Sequence, residues 1–289
     1  DGGDGEGGDG DDDDGAIRVL RQVERRRAPV GAPRACAGLD GLCVRAAACG
    51  WAHSVVATRE GLLRACGYNE KGQIGNGTRL PSAEFVAVST PAGAAAASES
   101  KSLHAGNAGT SILACGMNHS AAVLNPDGRL CTWGLGVFGQ LGLGHAKKES
   151  CAPELVPLNA AAVQVACGDH HTLVVTADDD VYTFGHRDSV GGGSHFRRLP
   201  ERQFELCAKT GMRVDRVFAG GMGCFAAVET PGRAEAAPAT IMHSWGYNQR
   251  FALGQYSSQL SLSRPTPVAL PRLPGARVRA FAAGSHHSV

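Results

Sequence analysis

Cys115-Gly116-Met117-Asn118-His119-Ser120, followed by Trp133-Gly134 and then by Gly139-Gln140-Leu141-Gly142, is the stretch whose recurrence decides the fold. Its opening returns as Cys49-Gly50-Trp51-Ala52-His53-Ser54 and as Cys167-Gly168-Asp169-His170-His171-Thr172. A weaker copy reads Ala219-Gly220-Gly221-Met222-Gly223-Cys224, and a last one reads Ala283-Gly284-Ser285-His286-His287-Ser288. Counted between leading glycines, the steps are 66, 52, 52 and 64 residues. Self-similarity at a fixed period marks a repeat architecture. The unit is therefore 52 residues, with 14 extra in the first step and 12 in the last. Pro91 to Ala105, rich in Ala, Ser and Gly, reads as the first insertion, between copies, and Glu229 to Thr240 as the second, lengthening the short link between two strands inside the fourth copy.

The third copy shows the local structure most plainly. Val163 to Ala166 alternates, Gly168-Asp169-His170 turns, and His171 to Thr176 is β-branched and apolar. Asp178-Asp179-Asp180 turns again, and Val181-Tyr182-Thr183-Phe184 supplies another strand. Short β-branched and aromatic runs broken by Gly and Asp predict an antiparallel meander. No sustained helical periodicity is present outside Ile17 to Arg27. A four-stranded unit of this size is one blade of a β-propeller. The chain thus reads as all-β, with about four blades and the start of a fifth over residues 47–289 and the ring incomplete. Ahead of it stand an acidic tail (1–15) and a basic lead-in (16–46).

Taken together, Gly-x-x-His-Ser/Thr, Trp-Gly, Gly-Gln-Leu-Gly and a downstream Pro (Pro153, Pro265) resemble the repeat of the regulator of chromosome condensation family. The resemblance runs from Ala47 to Val289 and implies a seven-bladed propeller, of which this chain would be a fragment. Three departures stand out. The third copy keeps only Val190-Gly191-Gly192-Gly193 of the Gly-Gln-Leu-Gly element. The fourth has Gly223 and Cys224 in place of His and Ser/Thr, and the first has Cys66 in place of Trp.

For function, the resemblance implies a protein-interaction scaffold that binds a protein partner through blade loops. The alternative it implies is guanine-nucleotide exchange on a Ran-like small GTPase, which needs no covalent catalysis. Asp169, directly after a leading glycine, is the loop acid that suits either role. Chromatin binding is a weaker expectation, because the tail begins with eight acidic groups within residues 1–15.

Composition agrees with these readings. Forty glycines suit a fold with a tight turn between successive strands. The net charge of +1 conceals an asymmetry: outside the tail, 19 acidic residues face 28 Lys and Arg, leaving +9. The tail has nothing apolar to bury and reads as a solvated arm that partly neutralises the neighbouring arginines. No apolar run reaches 18 residues and no signal peptide is readable, so no membrane is expected. Cys49, Cys115 and Cys167 repeat at one position of three units, which suits buried thiols better than a disulfide framework. That reading places the chain in the cytoplasm or nucleus.

His53, His119, His171 and His287 invite a catalytic or metal-binding reading. Each stands alone in its unit, without a second ligand at zinc-like spacing, so neither a metal nor any other cofactor is expected. They read instead as structural repeat residues that fix a turn within their own blade, and Trp133 and Trp245 as blade-core residues. Gly134-Leu135-Gly136-Val137-Phe138-Gly139 matches a dinucleotide-binding pattern, but no helix follows to receive a phosphate.

Overall fold

The computed structural model describes residues 35–91, 95–96, 112–125, 127–144, 147–191, 197–204, 212–230, 239–269, 278, 281–284 and 288. The acidic tail, Ile17 to Arg27 and His287 lie outside the described residues. Residues 38–289 form one compact unit.

Four antiparallel sheets follow one another along the chain, their strands pairing in sequence order except that two short segments share one neighbour in the second sheet. The first blade comprises β1 (Val44–Cys49), β2 (His53–Thr58), β3 (Leu63–Gly67) and β4 (Ser82–Ala87). The second has β5 (Ala95–Ala96), β6 (Leu113–Cys115), β7 (His119–Asn125), β8 (Arg129–Leu135) and β9 (Glu149–Leu155). The third is built from β10 (Ala162–Cys167), β11 (His171–Thr176), β12 (Val181–Gly185) and β13 (Arg197–Phe204). The fourth contains β14 (Arg213–Gly220), β15 (Gly223–Glu229), β16 (Thr240–Tyr247) and β17 (Ser261–Pro267). An isolated bridge between Ala283 and Ser288 marks the fifth copy.

The second strand of every blade is buried on both sides, as β11 shows along its whole length. Side chains alternate across a strand, so consecutive residues serve different neighbours. On β7, Ala122 and Leu124 join a cluster with Val55, Ala57 and Ile74 of the first blade. Ala121 and Val123 join the opposite cluster, with Val165, Val174 and Phe184 of the third. A third cluster repeats the pattern, setting Leu173 and Val175 against Cys224, Ala226 and Trp245. The core is therefore a series of apolar layers between blades.

The insertions sit at defined points of this scheme. In blades one, three and four the first strand carries a β-bulge, at Val44/Ala46, Ala162/Gln164 and Val214/Arg216. In the second blade Ala96 pairs with Leu124 where Val44 pairs with Thr58, and Leu113 resumes the register opposite Ala122. The first insertion therefore interrupts the innermost strand at its bulge, where the composition had suggested a link between blades. The second lengthens the β15–β16 hairpin, which pairs as far as Glu229 with Thr240. In a meander, that hairpin and the bulge lie at the blade end opposite the Gly-x-x-His turns. Both insertions therefore leave from the face opposite those turns.

The leading glycines meet around the axis. A methyl group on Gly50 would fall on the Gly116 carbonyl, and one on Gly116 would fall on the Gly168 carbonyl and the His119 ring. Gly168 and Gly220 stand in the same relation to the carbonyls of Gly220 and Gly284, at 2.7 and 2.8 Å. Gly116→Ala is therefore expected to cost more than about 2 kcal/mol, because backbone must move. Gly77→Ala, strained by a φ of 83° but with its nearest neighbour at 4.0 Å, should cost only about 1 kcal/mol. Thermal unfolding of the two variants checks the order, and equal costs would contradict the steric account.

Candidate functional site

His and Ser/Thr are adjacent in each copy, so strand alternation sends them into opposite neighbours. His53 Nε2 lies 2.9 Å from Ser120 Oγ in the next blade, and His119 Nε2 lies 3.0 Å from Thr172 Oγ1 in the one after. The hydroxyls donate onward to main-chain carbonyls of the preceding blade: Ser120 to Gln73 at 3.0 Å and Thr172 to Gln140 at 2.8 Å. A hydroxyl has one proton to donate, so the imidazole must be the donor at Nε2. The relay runs from an N–H of one blade, through a hydroxyl of the next, and back to a carbonyl of the first. His53 and His119 thus tie two blades together, while each ring also packs on the leading glycine of its own turn.

The carbonyl belongs to the Gly-Gln-Leu-Gly element, which explains its place in the repeat. Gln73 O accepts a second bond, from Trp133 Nε1 at 2.9 Å. The closing glycine of the element, Gly75, leaves room for that indole, since a Cβ there would lie 2.7 Å from Trp133 Nε1. Gly142 makes the same room for Phe184, the residue that occupies the Trp position of the third blade. In that blade Ser189 supplies the accepting carbonyl, to Cys224 at 3.1 Å. Ser189-Val190-Gly191 therefore serves as Gln-Leu-Gly despite its altered sequence. Ser288 Oγ likewise donates to Ala252 O at 3.1 Å.

Above these layers the Gly-x-x-His turns surround a cavity of about 520 Å³ on the axis. Trp51, Met117, Asp169 and Gly221 follow the leading glycines at its mouth, and Cys49, Cys115, Cys167 and Ala219 precede them. Backbone bonds join neighbouring turns: Met117 N to Asp169 O at 3.3 Å and Asp169 N to Gly221 O at 2.8 Å. Trp51 is 72% exposed. Asp169 is half-buried beside His170, which burial holds below its ordinary pKa against the opposing pull of that carboxylate. His170 and His186 both pack against Phe138, tilted at a ring-centroid distance of 4.7 Å and edge-on at 5.3 Å. Nothing in the repeat pattern announced this aromatic group, because its members come from two blades.

Burial pushes the Cys115 thiol above the usual range and Cys167 up to about 12, so neither is an activated nucleophile. The cysteines among the described residues are free. Among those residues, no three His, Cys, Asp or Glu side chains converge as a metal site, and no helix is long and apolar enough to cross a membrane.

Comparison with known proteins agrees with this geometry. Two models of the regulator of chromosome condensation repeat match, one over residues 127–175 and 242–289 and the other over 44–73 and 162–191. The chain is built of regulator of chromosome condensation repeats. It is 28% identical to the mouse E3 ubiquitin-protein ligase HERC2 over 250 residues, 83% of this chain and 4% of that protein. It is 33% identical to the bovine secretion-regulating guanine nucleotide exchange factor over 160 residues, 54% of this chain and 30% of that protein. Among solved structures it resembles human WBSCR16, with a TM-score of 0.67, 22% identity and coverage of 85% of this chain and 56% of that one. Prp20p from Saccharomyces cerevisiae follows at a TM-score of 0.61 and 21% identity, over 83% of this chain and 53% of that one. The chain thus spans about half the length of these solved propellers.

The buried histidines of this repeat propeller are expected to make its stability pH-dependent. Burial holds His53 at about 4 and His119 and His171 at about 3, against 6.5 unperturbed. A lowered histidine pKa means that the unfolded chain binds more protons below pH 6.5, so stability falls as pH drops from 6.5 toward 4 and 3. At pH 5.5 the loss should be about 1.4 kcal/mol per histidine relative to neutral pH, measurable by urea unfolding at pH 7.5 and 5.5. Ser120→Ala removes the acceptor for His53 and should cost about 1–3 kcal/mol at neutral pH. An unchanged unfolding midpoint would show that the relay contributes nothing.

Proposed function

We propose that the chain is a protein-interaction scaffold whose turn face, around the axial cavity, receives a protein partner. One contrast carries this reading. Positions that build the relay repeat from blade to blade, whereas the position after each leading glycine varies as Trp51, Met117, Asp169 and Gly221. Residues at that position hold neighbouring turns only through backbone groups, which leaves their side chains free of the repeat's structural demands. Variation at geometrically equivalent points of successive blades supports recognition through blade loops. Trp51 adds an exposed aromatic surface of the kind that anchors protein interfaces.

Guanine-nucleotide exchange on a small GTPase is the second reading. It is supported by the likeness to the bovine exchange factor and by Asp169 at the mouth of the cavity. Prp20p, whose fold this chain shares, is described with binding properties to Gsp1p and histones. Exchange on such a face needs hydrogen-bonding and acidic loop groups and no covalent step.

Both readings are tested with the full-length protein. Photo-crosslinking residues placed at positions 51, 117 and 169 should capture a discrete protein partner, while positions 60 and 178 on the opposite face should not. Capture only from positions 60 and 178 would refute the proposed face. If the full-length protein speeds release of a fluorescent GDP analogue from a Ran-type GTPase, and Asp169→Ala reduces that effect at least about tenfold, the exchange reading replaces the scaffold.

A further inference from the structure

The relay that closes the first two blade boundaries fails at the third. There Cys224 occupies the place of Ser120 and Thr172, and its thiol donates to Ser189 O at 3.1 Å. Sulfur is a weak acceptor, so the onward bond is kept while the bond from histidine is lost. The fully buried His171 accordingly makes no hydrogen bond to the side chain at position 224, and the Gly223 backbone is the group left beside its ring. Burial lowers its pKa to about 3, offset only in part by the Gly223 backbone nearby. Among buried polar groups, a donor left without an acceptor is costly.

The opposite end of the same boundary carries a side-chain clasp. Gln164, only 4% exposed, donates from Nε2 to Asp215 O at 2.6 Å and accepts from Val217 N at 3.3 Å. It thereby clasps the β-bulge of the next blade's innermost strand. Equivalent positions in the first two blades carry Ala46 and Ile112, which have no amide. Arg213 and Asp179, 3.6 Å apart, add an ion pair at this end. At the turn end the boundary keeps Asp169 N to Gly221 O at 2.8 Å, Ser261 Oγ to Asp188 O at 3.4 Å and the thiol bond.

We propose that the boundary between the third and fourth blades is a hinge, pinned at its bulge end by Gln164 and opening at its turn end beside His171 and Cys224. Opening widens the axial mouth between Asp169 and Gly221 and admits solvent to the Cys224 thiol. The first two boundaries stay closed because their relays hold the turn end.

Cys224 and Cys131 are both fully buried, and Cys131, on β8, lies in the layer between the first and second blades. In the native full-length protein, iodoacetamide should modify Cys224 at least about tenfold faster than Cys131, each rate normalised to its value in denaturant. Equal or slower modification of Cys224 would overturn the hinge. Cys224→Ser provides the missing acceptor and should raise amide-exchange protection around residues 223–225 by about tenfold, the equivalent of one net hydrogen bond. Unchanged or reduced protection in that variant would count equally against the proposal.

Discussion

A hydroxyl held between an imidazole N–H and a main-chain carbonyl is the interaction on which this propeller depends. Ser120 and Thr172 each sit between two groups of the preceding blade, His53 with Gln73 and His119 with Gln140. One short polar side chain thus fixes both the spacing and the register of two apolar sheets. Hydrophobic layers alone would let the blades slide, since apolar contact is non-directional. The relay adds direction at a buried point, where an unmade bond is expensive.

The rest of the repeat serves this point. The Gly-Gln-Leu-Gly loop presents the carbonyl, and Gly75 and Gly142 give space to the Trp133 and Phe184 rings that cover it. The leading glycines allow the turns to close on one another until carbonyl and Cα nearly touch. Burial keeps His53 and His119 neutral, and the onward bond of each hydroxyl requires the remaining ring proton to sit on Nε2. The surface that remains variable is the mouth of the axial cavity, where Trp51, Met117 and Asp169 stand.

Much of this was legible in the chain. The glycine spacing marked four blades, and the β-branched runs marked the buried second strands, because each blade is a local meander of consecutive strands. The Glu229 to Thr240 insertion was also placed correctly, since a long hairpin is a local feature. The first insertion was not. Its point of departure is a bulge in a strand that resumes only at Ile112, and pairing with Leu124 alone reveals that Ala95–Ala96 belongs to the same blade edge. The candidate site was legible only in part. Asp169 could be named from its place after a glycine, whereas the Phe138, His170 and His186 group joins residues of two blades.

The sequence by itself determined the repeat, the all-β architecture and the separation of structural positions from variable ones. Those follow from period, alternation and turn residues, which act over a few neighbours along the chain. Only the tertiary structure decided what the histidines do, because their partners lie 67 and 53 residues away in the next blade. It likewise decided that Ser189-Val190-Gly191 replaces a lost motif and that Cys224 breaks the relay. Hydrogen bonds between blades join groups distant in sequence, and their geometry exists only once the layers have packed.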